Sequence, residues 1–164
     1  MDDIPGNIHL PHFRVRRVVP DDLALICNHR ERMFLEADGN AEQLKVMTEN
    51  FRPWLQTRLR DGRYYGFVLM DNETPAAAVG LMTIEWPPHP AHPTDASRGY
   101  VLNVYVEQPY RRQGLASSLM KLAEAEFARR GVRFAVLHAT QAGKPVYEKL
   151  GWGATSEMAK RLQS

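Results

Sequence analysis

The sequence predicts an α/β (α+β) fold, a central mixed, mostly antiparallel twisted sheet of about six to seven strands flanked by about four helices. Three observations predict it. Stretches of alternating or continuous apolar residues are interleaved with stretches whose apolar residues recur at helical spacing. Two strand-like stretches, 64–70 and 77–86, are joined by the turn residues Asp71-Asn72-Glu73-Thr74, which makes them an antiparallel hairpin. Residues 98–139 read strand, helix, strand, for which a right-handed crossover onto a parallel neighbour is expected.

In chain order, residues 1–12 lack periodicity and read as a loose, flexible arm preceding a single domain over 13–164. Phe13 to Val19 alternates apolar and basic residues, a strand with one wet face. Pro20-Asp21-Asp22 starts a helix, since aspartates accept from orphan N–H groups and suit the helix dipole. Leu23, Ile26, Cys27, Arg30 and Phe34 keep its period, and Gly39 is a plausible stop. A second helix spans about Ala41 to Arg60, with Leu44, Met47, Phe51, Trp54 or Leu55, and Leu59 on one side; Pro53 should bend or divide it.

After the hairpin, Pro87, Pro88, Pro90 and Pro93 make a stiff loop that cannot be sheet interior. His89 and His92 within it are a weak metal signal, because the prolines hold them extended and no further ligand completes a set; no metal is expected. The fourth strand, Arg98 to Val106, leads through Pro109 into a helix with Leu115, Leu119, Leu122, Ala123 and Phe127 on one face, stopped at Arg129-Arg130-Gly131. Phe134 to Ala139 reads as a mostly buried fifth strand, Lys144 to Leu150 as a short helix and Glu157 to Leu162 as a last strand.

Composition bounds the function. The 164 residues are 44% apolar and 24% charged, a globular balance fitting one domain. A net charge of +2 without long runs of like charge does not call for nucleic acid, Arg14, Arg16 and Arg17 notwithstanding. No apolar run approaches the ~18 residues of a membrane span, and the N-terminal dozen lacks the pattern of a signal peptide. The single Cys27, on an apolar helix face, reads as a core residue in a reducing compartment, so a cytoplasmic location is expected, with a homodimer as a candidate assembly.

The chemistry concentrates where the fourth strand turns into a helix. Unpaired N–H groups at a helix start bind phosphate or pyrophosphate. Gly114 lets the backbone approach a ligand, Ala116 keeps the first turn small, and Arg111 and Arg112 add cationic donors. An ordinary loop with solvated arginines has the same residues.

The run Arg111-Arg112-Gln113-Gly114-Leu115-Ala116 fits the Arg/Gln-x-x-Gly-x-Gly/Ala pattern of the GNAT N-acetyltransferases, and Pro145-Val146-Tyr147-Glu148-Lys149-Leu150-Gly151-Trp152 resembles that family's second segment. The two occur in the family's order, and the resemblance covers nearly the whole chain. It implies acetyl transfer from acetyl-coenzyme A to a primary amine (a small molecule, amino acid, peptide or protein amine) by direct attack in a ternary complex. It also implies parallel fourth and fifth strands that splay apart. The pyrophosphate would sit on the N–H groups from Gln113 through Gly114, Leu115 and Ala116 to Ser117, with Arg111 and Arg112 nearby. Pantetheine would pair with the edge at Val104, Tyr105 and Val106, and the Val106 N–H would stabilise the oxyanion. Tyr147 would be the acid that protonates the departing thiolate.

The sequence departs from the family in three places. Many relatives place a carboxylate base on the fourth strand, acting directly or through water; Tyr100-Val101-Leu102-Asn103 has none, which leaves Glu85 as first candidate, Glu107 as second, or a water chain. Thr140 stands where an asparagine is common and could bond the pantetheine, and Gly143 replaces an alanine; Lys144 meets a coenzyme phosphate or is solvated. The resemblance puts the acceptor wall at Arg32, Met33, Phe34, Glu36, Asp38, Phe51 and Trp54, of which most apolar members serve as core. The missing acid also permits an alternative, a non-catalytic acyl-coenzyme A-binding regulatory module.

Overall fold

The computed structural model describes residues 4–6 and 8–162. Its sheet has five strands in the order β1-β2-β3-β4-β5: β1 (Arg14–Arg17), β2 (Tyr65–Asp71), β3 (Thr74–Glu85), β4 (Ser97–Val106) and β5 (Ala135–Leu137). The first three pairings are antiparallel and β4 with β5 is parallel, as the hairpin and the crossover require. The helices are α1 (Leu23–Glu36), α2 (Ala41–Asp61), α3 (Leu115–Arg129) and α4 (Lys144–Lys149).

Side-chain alternation sorts the core into two faces. Phe67, Leu69, Val79, Leu81 and Val101 meet Leu115, Leu119, Leu122 and Phe127 of α3. On the opposite face Ile26 and Cys27 of α1 and Phe51, Leu55 and Leu59 of α2 close over Tyr64, with Met82 and Leu102 partly buried against them. β2 is buried throughout except at its last residue, which explains why its sequence is a continuous apolar run rather than an alternation.

Each helix start has a local cause. Asp22 accepts from the Val19 N–H (2.8 Å) and takes a bidentate pair from Arg16 (2.8 Å each), tying β1 to the entrance of α1. Asn40 caps α2 by accepting from the Gln43 N–H, and Gly62, left-handed at φ 78°, closes it.

Four expectations change. The strand at 157–162 does not form: Met158 and Leu162 are 94% and 79% exposed, and β5 is only three residues long, so neither burial nor a ladder holds that segment in the sheet. The strand count is therefore five, not six to seven, among the described residues. Pro53 leaves α2 undivided; Glu49, whose carbonyl loses its donor, lies exposed to water. His89 and His92 are not held extended. Pro90 sits in a tight turn that bonds the His92 N–H to the His89 carbonyl (2.8 Å) and stacks the rings 5.7 Å apart. Of the N-terminal arm, Ile4, Ile8 and Leu10 lie against the α3-side core, and Met1 to Asp3 and Asn7 lie outside the described residues.

Candidate active site

The site begins with a defect in β4. Ala78 pairs with Tyr105 and Gly80 with Leu102, so β4 carries one residue more than β3 over this stretch. Asn103 absorbs it in a left-handed conformation (φ 55°), which asparagine tolerates better than most residues. Its side chain is fully engaged: Oδ1 accepts from Arg30 (2.8 Å) and Nδ2 donates to the Tyr64 hydroxyl (2.9 Å). Gly80 makes this possible, because a Cβ there would collide with that hydroxyl. A bulge bends and twists its strand. Accordingly β5 pairs only as far as Val101 with Leu137, and the β4 edge beyond it faces a cleft.

That cleft has a volume of about 1090 Å3. One wall is β4 from Val104 to Val106, the floor is the start of α3 from Gly114 to Ser117, and the far wall is Thr140 to Gly143 with Val146 and Tyr147. Met33, Glu36 and Asp38 at the end of α1 form its rim. The first backbone bond of α3 runs from the Ser118 N–H to the Gly114 carbonyl (3.1 Å), so the N–H groups of Leu115, Ala116 and Ser117 have no main-chain partner among the described residues. Gly114 (φ 75°) and Arg112 (φ 62°) are both left-handed and curl the turn into a concave nest of N–H groups. A Cβ on Gly114 would meet no protein atom, so the turn needs glycine first for its backbone angle.

The two arginines of the turn differ. Arg111 donates from Nε to the Val106 carbonyl (2.9 Å) and from its guanidinium to Glu36 (2.7 Å). Arg112 lines the cleft with no such partner among the described residues. Glu36 also accepts from the Tyr105 hydroxyl (2.7 Å). Burial would raise Glu36, but these two hydrogen bonds outweigh it and hold the carboxyl below its usual range. Burial first, and then Glu36, push the Tyr105 hydroxyl up to about 12.

Tyr147 is half-buried, lines the cleft, and makes no hydrogen bond through its hydroxyl among the described residues. Burial raises its pKa, so it stays protonated above the ordinary tyrosine range. Thr140 lines the cleft too, while its own oxygens accept from the Gly143 (3.2 Å to Oγ1) and Lys144 N–H groups and start α4. Gln113 and Lys144 do not line the cleft. Lys144 pairs instead with Glu148 (3.7 Å) beside a smaller cavity of about 410 Å3.

Neither carboxylate base candidate reaches the cleft. Glu85 is exposed and pairs opposite Ser97, which with Val106 marks the two ends of β4, about 30 Å apart at ~3.3 Å per residue. Glu107 has both oxygens occupied, by His29 (3.0 Å) and Arg32 (2.7 Å). His29 is buried, and burial lowers its pKa against the pull of Glu107. Phe51 and Trp54 stack on each other (5.5 Å) away from the cleft, as core. Burial raises the Cys27 thiol, in keeping with a core residue.

The sequence did not disclose Tyr100 and His138. Tyr100 follows β4 residues whose register against β5 only pairing reveals, and its hydroxyl bonds His138 Nδ1 just past the last β4–β5 pair. The Nε2 of His138 lies 3.4 Å from Glu157. Among the described residues no group of three or more His, Cys, Asp or Glu could hold a metal ion, and no helix is long and apolar enough to cross a membrane.

Residues 25–152 match the acetyltransferase (GNAT) family. A GCN5-related N-acetyltransferase from Ralstonia eutropha JMP134 is similar at 51% identity and a TM-score of 0.90, over 92% of this chain and 98% of that one. A predicted acetyltransferase with acetyl-CoA from Clostridium acetobutylicum has the same fold at 24% identity and a TM-score of 0.78, over 92% and 96%. A ribosomal-protein-alanine N-acetyltransferase from Brucella melitensis shares the fold at 15% identity and a TM-score of 0.64, over 93% and 99%. Among curated proteins, none matches the sequence.

Proposed function

The chain belongs to the GNAT family of acetyltransferases, and from that premise we propose that it transfers the acetyl group of acetyl-coenzyme A to a primary amine by direct attack in a ternary complex. The observation that carries this reading is the cleft itself. Among the described residues, N–H groups without a main-chain partner at the start of α3 lie at one end, an unpaired strand edge along one wall, and a protonated Tyr147 with no hydrogen bond on the other. These match the needs of a phosphate, a chain of amides and a leaving thiolate, respectively.

Acetyl-coenzyme A would supply the activated acyl group as a thioester. Leu115, Ala116 and Ser117 would bind its pyrophosphate through their N–H groups, Arg112 would add charge, and Arg111 would exchange its Glu36 contact for phosphate. Val104 to Val106 would pair with the pantetheine amides, and the Val106 N–H would donate to the developing oxyanion. Tyr147 would give its proton to the sulfur. Gln113 and Lys144 would act at the margin, and Thr140 would serve mainly by fixing α4. The acceptor is a small-molecule, amino-acid, peptide or protein amine, and the buried free Cys27 supports a reducing, cytoplasmic setting.

The test is a thiol-release screen of the protein with acetyl-coenzyme A against a broad panel of primary amines. Release that saturates with one amine class is expected. Tight coenzyme binding with no release across the panel would replace this reading with that of a non-catalytic acyl-coenzyme A-binding module.

A further inference from the structure

Amine attack on a thioester requires a base; of the two carboxylates lining the cleft, Glu36 is committed to Tyr105 and Arg111, and Asp38 stands at the rim just past the end of α1. We propose that His138 is that base, oriented by Tyr100 and discharged through Glu157; this rests on the acetyl-transfer reading above. His138 is the first residue after the last β4–β5 pair, Val101 with Leu137. Leu137 and Val101 both pack into the α3-side core. By strand alternation their neighbours His138 and Tyr100 turn to the other face, the one α1 and α2 cover. The two rings meet there, 5.8 Å between centroids, with the Tyr100 hydroxyl on Nδ1. His138 and Tyr147 also line one cavity of about 410 Å3, and Tyr147 lines the coenzyme cleft as well, so the two cavities share the proposed acid as a lining residue.

The contacts set the proton's path. With Nδ1–H donating to the Tyr100 oxygen, Nε2 carries the lone pair and accepts a proton from the acceptor ammonium. The imidazolium then donates Nε2–H to Glu157 (3.4 Å), and a His138 side chain 73% exposed releases the proton to water. The nitrogen, now neutral, bonds to the acetyl carbon; the carbon–sulfur bond breaks and the thiolate takes the Tyr147 proton. The second nitrogen proton restores Tyr147. One proton leaves overall, as conversion of an ammonium to an amide with release of a thiol demands.

The charged and titratable groups around His138 are Tyr100 on β4, Glu157 on the C-terminal segment, and Lys144, Tyr147 and Glu148 of α4, which line the same cavity; Arg30 of α1 acts on Tyr100. The experiment compares the full-length protein with His138→Gln and Glu157→Gln, measuring kcat/KM for the amine across pH together with acetyl-coenzyme A affinity. His138→Gln should lower kcat/KM by about 10²–10³-fold. It should abolish the acid-side limb of the profile and leave coenzyme affinity within about two-fold, which also shows that the variant folds. Glu157→Gln should give a loss of roughly ten-fold. A His138→Gln variant that keeps wild-type kcat/KM, or keeps the acid-side limb, overturns the assignment while leaving acetyl transfer standing. Absence of turnover in the wild-type protein overturns both.

Discussion

At the scale of single residues, the chemistry depends on which polar atoms are left without partners. Glu107 and Asn103 are engaged at every side-chain oxygen and so hold structure together. Tyr147, half-buried with a hydroxyl that has no partner among the described residues, is the opposite case. Tyr147→Phe should lower kcat by about 10²–10³-fold, the usual worth of a positioned acid, with acetyl-coenzyme A affinity changed less than three-fold. Burial raises the tyrosine's pKa, so the acid form persists above the ordinary tyrosine range and kcat of the wild-type protein should stay level through neutral pH on its account. Stopped-flow turnover and equilibrium coenzyme titration separate the two quantities, and equal losses in both would contradict the acid role. Tyr147 was legible in the sequence because its neighbours form a motif. His138 was not, because its partners come from residues 38 positions earlier and 19 later.

At the scale of elements, one buried carboxylate fastens the end of α3 to the sheet. Glu126 is fully buried and accepts from Arg129 (2.8 and 3.0 Å) and Arg130 (2.7 Å) on its own helix and from Arg17 of β1 (3.3 Å). Burial alone would raise its pKa; the hydrogen bonds from the three arginines overrule it and bring it to about 2. Because the folded value lies below the unfolded one, near 4.5, the stabilisation is complete above about pH 4.5 and is lost as pH falls toward 2. Glu126→Gln should therefore cost about 1–3 kcal/mol at pH 7, with the difference from wild type shrinking between pH 4.5 and 2. Urea titrations at a series of pH values read this directly, and a difference independent of pH would show that Glu126 acts by packing instead. The sequence marked Arg129-Arg130-Gly131 as a helix stop without revealing that both arginines turn back onto a buried acid. Helical period places Glu126 beside Phe127 but cannot say that β1 will bring Arg17 to it.

At the scale of the whole molecule, the cleft exists because two neighbouring parallel strands part, and a ligand filling it should join them. Acetyl-coenzyme A at 100 times its dissociation constant should add about 2.7 kcal/mol, which for a chain of this size raises the melting temperature by roughly 5–10 °C. A melting temperature that stays put at millimolar coenzyme would contradict the site. The sequence by itself determined the order of strands and helices, the parallel crossover and the N–H cradle before α3, because those follow from periodicity, turn chemistry and glycine placement within short stretches. It also marked Tyr147 as the acid the resemblance implies. Only the tertiary structure decided the rest: that Glu85 lies far along β3, that Arg111 is held by Glu36, that 157–162 stays outside the sheet, and that His138 meets Tyr100. The positions of Glu85 and His138 turn on strand register, which is fixed by which side chains the opposing helices bury; the other two turn on how a helix end and the C-terminal segment pack, and all four are properties of the packed molecule rather than of any local run of residues.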